Sequence, residues 1–582
     1  MTRFVTDPGV GAQVLGDGRT RFRLWAPSSP AVALEIEGRA SQPMNAAGKG
    51  WFELETECGA GAQYRYRVKD DLTVPDPAAR AQAEDVHGPS LVVDAAAFDW
   101  KSGDWRGRPW REAVVYELHA GLMGGFKGIA ARLPQLKDLG VTAVELMPIA
   151  DFPGRHNWGY DGVLPYAPDR AYGAPEELKA LVDRAHELGL MVLLDVVYNH
   201  FGPDGNYLHA YAEAFFRDDR QTPWGAAIDF RQDAVRRFFI QNAIYWLMEY
   251  RFDGLRLDAV HAIDDPEFLE ALAADVRGAV EPGRHVHLVV ENETNSASLL
   301  RSGFDAQWND DVHHCLHVML TGEHHGYYGG FIDDPAGKLA RALAEGFVYQ
   351  GETAPNAEHA RGEPSADLPS TAFIDCLQNH DQIGNRAFGQ RLTTLADPEA
   401  LRAAVGLLLL SPHIPMIFMG EESGSRAPFL YFTDHGPELA KLVRDGRRKE
   451  FAHFPDFADP ESLKRIPDPN AIDTYEASRP EPGPDAEGWR ALFRRLLDLR
   501  RRLVVPGLEG VRSMEARPIG DKAVLARWRL GDGAVLTLAL NLGEDPARVP
   551  TQAAQPFISI GGAAEDARLP ALSFCAWREP AP

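Results

Sequence analysis

The chain has 582 residues, more than one ordinary compact core accommodates, so two to four folding units are expected. With 45% hydrophobic and 25% charged residues the composition is globular and excludes general disorder. A net charge of −24 disfavours nucleic acid and anionic membrane, both polyanions, and is compatible with a neutral substrate such as a sugar.

The chain opens Met-Thr-Arg-Phe-Val-Thr-Asp-Pro-Gly, without an apolar segment of signal-peptide type. No uninterrupted apolar stretch reaches transmembrane length, so a cytoplasmic location is expected. Residues 1–106 read as a β-sandwich. Short alternating segments (Thr20–Trp25, Ala31–Ile36, Gln63–Val68) are split by Gly, Pro and Ser turns. The segment Trp100–Pro109 looks like a linker. Cys58, Cys315, Cys376 and Cys575 are far apart with no C-x-x-C pair, which argues against a zinc site or a disulfide framework.

From residue 107 to 503 the rhythm changes. Eight apolar runs recur: Val114–His119, Val141–Met147, Met191–Tyr198, Phe252–Asp258, Val286–Glu291, Phe304–Trp308, Thr371–Leu377 and Ile414–Met419. Helical patterns lie between them, including Pro175–Leu188, Asp233–Glu249, Pro266–Val280 and Pro398–Leu410. Alternation of this kind predicts βαβ units and a parallel sheet, and eight repeats fit an α/β fold of the (β/α)₈ TIM-barrel type. An open doubly wound sheet is the alternative. Three long segments, 199–230, 320–370 and 420–486, follow the third, sixth and eighth runs, at the strand ends where barrels build their sites. A basic helix over Glu487–Leu503 closes the barrel, its arginines a solvated face. Residues 504–582 return to short strands such as Val524–Leu530 and Ala534–Leu540, predicting a C-terminal antiparallel β domain.

Three acidic segments carry the chemistry: Gly254–Asp258, Val289–Asn292 and Gln378–Gln382. Each follows an apolar run, so Asp258, Glu291 and Asp381 stand at strand ends. Paired carboxylates are what glycoside hydrolysis needs, one as nucleophile and one as acid/base. Taken singly, such residues are more often caps or loop anchors.

Together, Asp195-Val-Val-Tyr-Asn-His200, Arg256-x-Asp258 followed by His261, Glu291, and His380-Asp381 resemble the four motif regions of the α-amylase superfamily of glycoside hydrolases. The resemblance implies that Asp258 is the nucleophile, Glu291 the general acid/base, and Asp381 a third carboxylate holding sugar hydroxyls. It implies that Arg256 keeps Asp258 ionised, that His200 and His380 bond sugar hydroxyls, and that Tyr160 is an aromatic platform. Asp195 and Asn199 would support loop geometry. The implied outcome is retention of the α configuration, with the two carboxyls about 5–5.5 Å apart.

Within that superfamily, Phe304–His314, Gln378–Arg386 with Gly389–Leu392, and Ile414–Glu422 with Pro428–His435 resemble the malto-oligosyltrehalose trehalohydrolases. Gly-Gln-Arg-Leu stands where Gly-Glu-Arg-Leu is common. The implied substrate is malto-oligosyltrehalose and the implied product trehalose. Asn309, Asp310, Asp311, Gln382 and Arg386 are candidates for gripping the trehalose unit, with His261, Trp308 and Asn379 as further substrate-binding candidates. Asp310 and Asp311 equally suit capping of a helix. A branching or debranching enzyme, and a non-catalytic glucan-binding protein, are the alternatives. No cofactor or metal is expected, no nucleic-acid or membrane partner, and the oligomeric state stays open between monomer and dimer.

Overall fold

The structure is a computed structural model that describes residues 4–222, 224–355, 358–454, 457, 459–551 and 554–580. Its centre is a closed parallel barrel of eight strands: β1 (Val115–Leu118), β2 (Ala143–Leu146), β3 (Met191–Val196), β4 (Gly254–Leu257), β5 (His287–Val290), β6 (Ala306–Trp308), β7 (Phe373–Cys376) and β8 (Ile414–Phe418). Each of the eight apolar runs contains one of these strands. Every residue of all eight is buried, as expected when helices cover the outer face and side chains fill the interior. The helices match the sequence pattern closely: Pro175–Glu187, Asp233–Met248, Pro266–Ala279 and Pro398–Leu410. All four open with Pro or Asp at the first turn, where a lost N–H costs nothing and a negative charge faces the helix dipole.

Two antiparallel sheets precede the barrel. One pairs Gly11–Val14, Arg19–Trp25, Trp51–Glu57 and Asn45–Gly48; the other pairs Gln42–Pro43, Ala33–Ile36, Gln63–Lys69 and Leu72–Val74. In Arg19–Trp25 every second residue is buried, the two-residue period of a half-buried strand. Ala79 and Val86, C-terminal to these sheets, pack on Val163, Leu164 and Ala167 of the loop after β2. The linker is clamped to the barrel as well. Trp105 stacks on His186 with centroids 5.0 Å apart and donates Nε1–H to Asp253 Oδ1 at 2.7 Å, while His186 Nε2 bonds Asp253 Oδ2 at 2.9 Å.

After the barrel, Arg512–Gly520, Ala523–Arg529, Val535–Asn541, Ser573–Glu579 and Ile558–Ile560 form a five-stranded antiparallel sheet. Helix Pro398–Leu410 lies against it so closely that a β-carbon on Gly406 would stand 2.5 Å from the Phe574 ring, which is why glycine occupies that position. All four cysteines are buried free thiols. Among the described residues no helix is long and apolar enough to cross a membrane.

The long segments gain structure of their own. Residues 199–230 hold a hairpin, Phe216–Thr222 with Gly225–Ile228. Residues 320–370 hold a 3₁₀ turn, Gly326–Phe331, and helix Pro335–Glu345. Residues 420–486 hold helices Pro437–Phe451, Pro460–Lys464 and Ile472–Ala477. Segments 199–230 and 420–486 leave from the carboxyl ends of β3 and β8, whereas 320–370 leaves from the end of helix Asp310–Thr321 that follows β6.

Candidate active site

Register brings the charged side chains together. Asp195 of β3 pairs with Arg256 of β4 in the parallel ladder, and Arg256 pairs with Val289, two residues before Glu291. Residues two apart on a strand share a face, so Arg256 and Asp258 point the same way. The Arg256 guanidinium is fully buried and serves three carboxylates. Nη1 donates to Asp195 Oδ2 at 2.6 Å and to Asp258 Oδ1 at 2.8 Å; Nη2 donates to Glu291 Oε2 at 2.8 Å. The Trp308 ring covers the guanidinium, 4.1 Å from its carbon. A flat, delocalised cation suits this position better than a lysine would, because it can fork to several acceptors while stacked.

Asp258 is held from its other side by Asn199, whose Nδ2 donates to Asp258 Oδ2 at 2.7 Å and to the Asp258 carbonyl at 2.9 Å. Burial works against its charge, but Arg256, His200 and the Asn199 bond outweigh burial and hold Asp258 below its ordinary pKa. Glu291 has the opposite bias. Burial is the largest influence, and Asp258, Asp381 and Asp310 add to it; against Arg256 they raise Glu291 to about 8. Near neutral pH the site therefore carries an ionised carboxylate beside a protonated carboxyl. Ala259 fixes the position of the Glu291 carboxyl. Its backbone sits in the left-handed region at φ +40°, rare for a residue with a side chain, and its N–H points at Glu291 Oε2, 2.9 Å away.

Asp381 lies in the short helix His380–Gly384 after β7, capped by the Asn379 side chain on the Gln382 N–H at 2.9 Å. His380 beside it is buried, with Nδ1 on Glu117 Oε1 at 2.5 Å and Nε2 2.8 Å from the Tyr160 hydroxyl. Burial alone would lower its pKa; Asp381 and Glu117 reverse that and raise it to about 9. The Tyr160 hydroxyl donates onward to Asp195 Oδ2 at 2.7 Å, and its ring stacks on His380 with centroids 5.1 Å apart. His200 spends both ring nitrogens on the protein, Nε2 on the Tyr160 carbonyl at 2.9 Å and Nδ1 on Asn199 Oδ1, and stacks on Trp224 with centroids 4.6 Å apart.

A cavity of about 680 Å³ opens beside this cluster. It is lined by Glu291, Asp381, Trp308, His261, Asp310, Asn379, Gln382 and Arg386, and on its far side by Tyr327, Phe388, Phe451 and Phe454. Asp258, Arg256, Tyr160, His200 and His380 stand behind Glu291 and Asp381 rather than in this lining. An ionised carboxylate beside a protonated carboxyl and a third carboxyl, at the edge of one pocket, can perform acid-assisted displacement at an acetal carbon.

Comparison with known proteins places this geometry. The α-amylase catalytic-domain model matches residues 100–224, and a domain family of unknown function, DUF3459, matches residues 511–575. The malto-oligosyltrehalose trehalohydrolase of Deinococcus radiodurans is 43% identical over 503 residues, 84% of this chain and 82% of that protein. That of Rhizobium sp. strain M-11 is 37% identical over 570 residues, 92% of this chain and 93% of the other. This chain belongs to the malto-oligosyltrehalose trehalohydrolase family. The crystal structure of a Salmonella typhimurium protein assigned as an α-amylase is 42% identical and superposes with a TM-score of 0.92, over 98% of this chain and 99% of that one.

The sequence candidates sort into three groups in this family member. Asp258, Glu291, Asp381, Arg256, Tyr160, His200, His380 and Trp308 form one connected cluster. Asp310, Gln382, Arg386, His261 and Asn379 line the cavity beside it. Gln382 Nε2 donates to Asp310 Oδ1 at 3.3 Å, and burial raises Asp310 to about 6. Both Nη atoms of Arg386 bond Glu323, at 2.7 and 2.8 Å. Asn309 and Asp311 are outside the lining. Asn309 Nδ2 bonds the Gly346 carbonyl at 3.0 Å and Asp375 Oδ1 at 3.1 Å. Asp311 accepts from Arg361 at 2.8 Å, Asn295 at 2.9 Å and the Val348 N–H at 2.8 Å, pinning the 320–370 segment to the barrel. Asp310 and Asp311 lie inside the first turn of helix Asp310–Thr321, where their charge faces the helix dipole; the N-cap position itself is Asn309, and no side chain caps it.

Two motif residues do more near the site than the resemblance implied, and two further acids lie outside the motifs. Asp195 and Asn199 do more than shape loops, since both bond the Arg256–Asp258 pair directly. Glu117 and Glu145 face the same buried layer from β1 and β2. Their signal was present in the sequence as a single acid inside each apolar run, a residue type almost never buried without a reason.

Proposed function

We propose that this chain is a retaining glycosidase that hydrolyses the α-1,4 bond next to the terminal trehalose unit of malto-oligosyltrehalose, releasing trehalose and a malto-oligosaccharide. The carrying observation is the opposed protonation bias of Asp258 and Glu291 on one guanidinium. Asp258, kept ionised, attacks the anomeric carbon from one face. Glu291, kept protonated, gives its proton to the glycosidic oxygen as that bond breaks and the trehalose unit leaves. A water then enters; Glu291, now a carboxylate, takes its proton, the hydroxide attacks the anomeric carbon, and the bond to Asp258 breaks. Two inversions give net retention.

Asp381 and the His380 cation are assigned to the hydroxyls of the reacting sugar, and Tyr160 to its apolar face. Asp310, Gln382 and Arg386 are assigned to the leaving trehalose, because they line the cavity on the Glu291 side. Asn309 and Asp311 are assigned to supporting that cavity. Membership of the family over nearly the whole length favours this reading over a branching or debranching enzyme, and the complete acidic trio favours it over a non-catalytic glucan binder.

The test is incubation of purified protein with maltotriosyl-trehalose. Release of free trehalose together with maltotriose initially in the α configuration is expected. Formation of α-1,6 branches on amylose without trehalose release would overturn the reading.

A further inference from the structure

The far end of the cavity is built differently from the rest. The stretches after β7 and β8 add four phenylalanines to the lining, Phe388, Phe451, Phe454 and Phe457, among polar residues such as Glu450 and Arg465. Phe388, in the loop that carries Asp381 and Arg386, and Phe454, just beyond helix Pro437–Phe451, are half-buried and present ring surface to the cavity. Behind them Phe451, Phe457 and Ile466 are buried and form a small core of their own. Phe454 packs on Phe451 with centroids 5.8 Å apart, Phe388 packs on Phe457 at 5.7 Å, and the Arg465 guanidinium lies over Phe388 at 5.9 Å. From the opposite side the 326–331 turn comes across. Its Gly326 is so near that a β-carbon there would stand 3.9 Å from the tip of the Phe454 ring. The segments after β6, β7 and β8 therefore converge at this end.

The position of this wall follows from the site geometry. The reacting sugar must sit at Asp258, over Tyr160 and His200. The leaving group must sit past Glu291. The cavity is lined by Glu291 and Asp381 but lacks Asp258, Tyr160 and His200, so it extends from the two carboxyls away from the nucleophile, on the side assigned to the leaving group, with Phe388 and Phe454 in its lining. A volume of about 680 Å³ falls within the roughly 300–1,000 Å³ of pockets that enclose a small ligand. A further glucose unit would have to displace rings braced on a packed core.

We propose that Phe388 and Phe454 form an end wall that sets the cleavage register, limiting the leaving group to two glucose units. The wall rests on the activity assigned above and adds what that activity alone leaves open: why the cut falls two sugars from the end rather than three or four. Rings suit the task because the apolar C–H faces of a pyranose pack on them, while their rigidity defines a fixed stop.

The experiment is hydrolysis of maltopentaosyl-trehalose by the wild-type protein and by Phe388→Ala, Phe454→Ala and Phe454→Tyr, with every product resolved by chromatography. The wild type is expected to release trehalose. Each alanine variant is expected to raise the share of the trisaccharide leaving group, glucosyl-trehalose, by about tenfold, the scale at which a pocket wall discriminates. Phe454→Tyr is expected to keep the wild-type register. Two single variants are used so that misfolding of one, seen as a lost thermal transition, leaves the other to decide. A folded alanine variant with the wild-type product ratio would overturn the proposal, as would a folded variant without turnover, since the ring would then serve the chemistry itself. If the wild type released no trehalose at all, the assigned activity would fall, while the leaving-group length on whichever oligosaccharide it cleaves would still test the wall.

Discussion

Arg256 Nη2 lies 2.8 Å from Glu291 Oε2, so the cation that steadies Asp258 also touches the acid on the opposite side of the reacting bond. The same guanidinium opposes the effect of burial on Glu291 and reinforces the ionisation of Asp258. The two carboxyls are thus separated in protonation by their other neighbours: three carboxyls around Glu291, and Asn199 with His200 around Asp258. This relationship fixes the pH behaviour.

Glu291 must be protonated and Asp258 ionised in the resting site. The fraction with Glu291 protonated is complete well below about pH 8 and falls as pH rises through that value. The fraction with Asp258 ionised falls only below the ordinary carboxylate range. The expected kcat/KM profile has a basic limb near pH 8 and an acidic limb below the usual range for aspartate. Removing the charge with Arg256→Met is expected to move both limbs upward, because Arg256 lowers both groups. A profile that loses activity uniformly without moving either limb would contradict this.

Asp258→Asn is expected to abolish turnover while leaving the thermal transition within a few degrees of wild type. Glu291→Gln is expected to lower kcat by about 10²–10⁴-fold on the natural substrate. The loss should be much smaller on a maltosyl fluoride, whose leaving group needs no proton. Equal losses on both substrates would remove Glu291 as the acid.

Glu145 supplies a test of the barrel floor. Both its carboxyl oxygens are buried without a hydrogen-bond partner, and burial, with Glu117 and Asp195 nearby, pushes its pKa well above the usual value. A carboxyl whose folded pKa is raised favours the native state most at low pH. That advantage is lost as pH climbs from the unfolded value of about 4.3 towards the folded one. Glu145→Gln keeps the shape and removes the titration. The melting temperature of the variant relative to wild type should therefore rise between pH 5 and pH 8. A difference that stays constant with pH would show Glu145 to be ionised in the folded protein.

Asp311→Ala is expected to destabilise the fold by about 3 kcal/mol, the scale for removing one partner from a buried pair. It strands Arg361, Asn295 and the Val348 N–H together. The loss should appear in chemical denaturation and, because the 320–370 segment carries Tyr327 and Arg361 into the cavity, in a raised KM. A raised KM with unchanged stability would instead point to direct contact with substrate.

The barrel strands were legible because a parallel strand buried on both faces is a continuous apolar run, and eight such runs in alternation with helices leave few other folds. The acidic trio was legible because Asp258 and Glu291 close apolar runs and Asp381 follows one within a few residues. Asn309 and Asp311 were harder. A polar residue after a strand reads the same whether it faces a substrate or a neighbouring loop, and only the folded 320–370 segment shows that their partners are Gly346, Val348 and Arg361. Glu323 was invisible for the same reason: its bond to Arg386 spans 63 residues.

The sequence by itself determined the scaffold and singled out the candidate carboxyls, because hydrophobic period and strand-end position are local properties of a chain. The tertiary structure decided the rest. It joined Asp258, Glu291 and Asp195 on one guanidinium, gave Asp258 and Glu291 opposite protonation biases, and brought the segments after β6, β7 and β8 together around one cavity. Charge and shape of that kind depend on which distant segments meet, since burial and Coulombic influence act through space and leave no periodic trace along the chain.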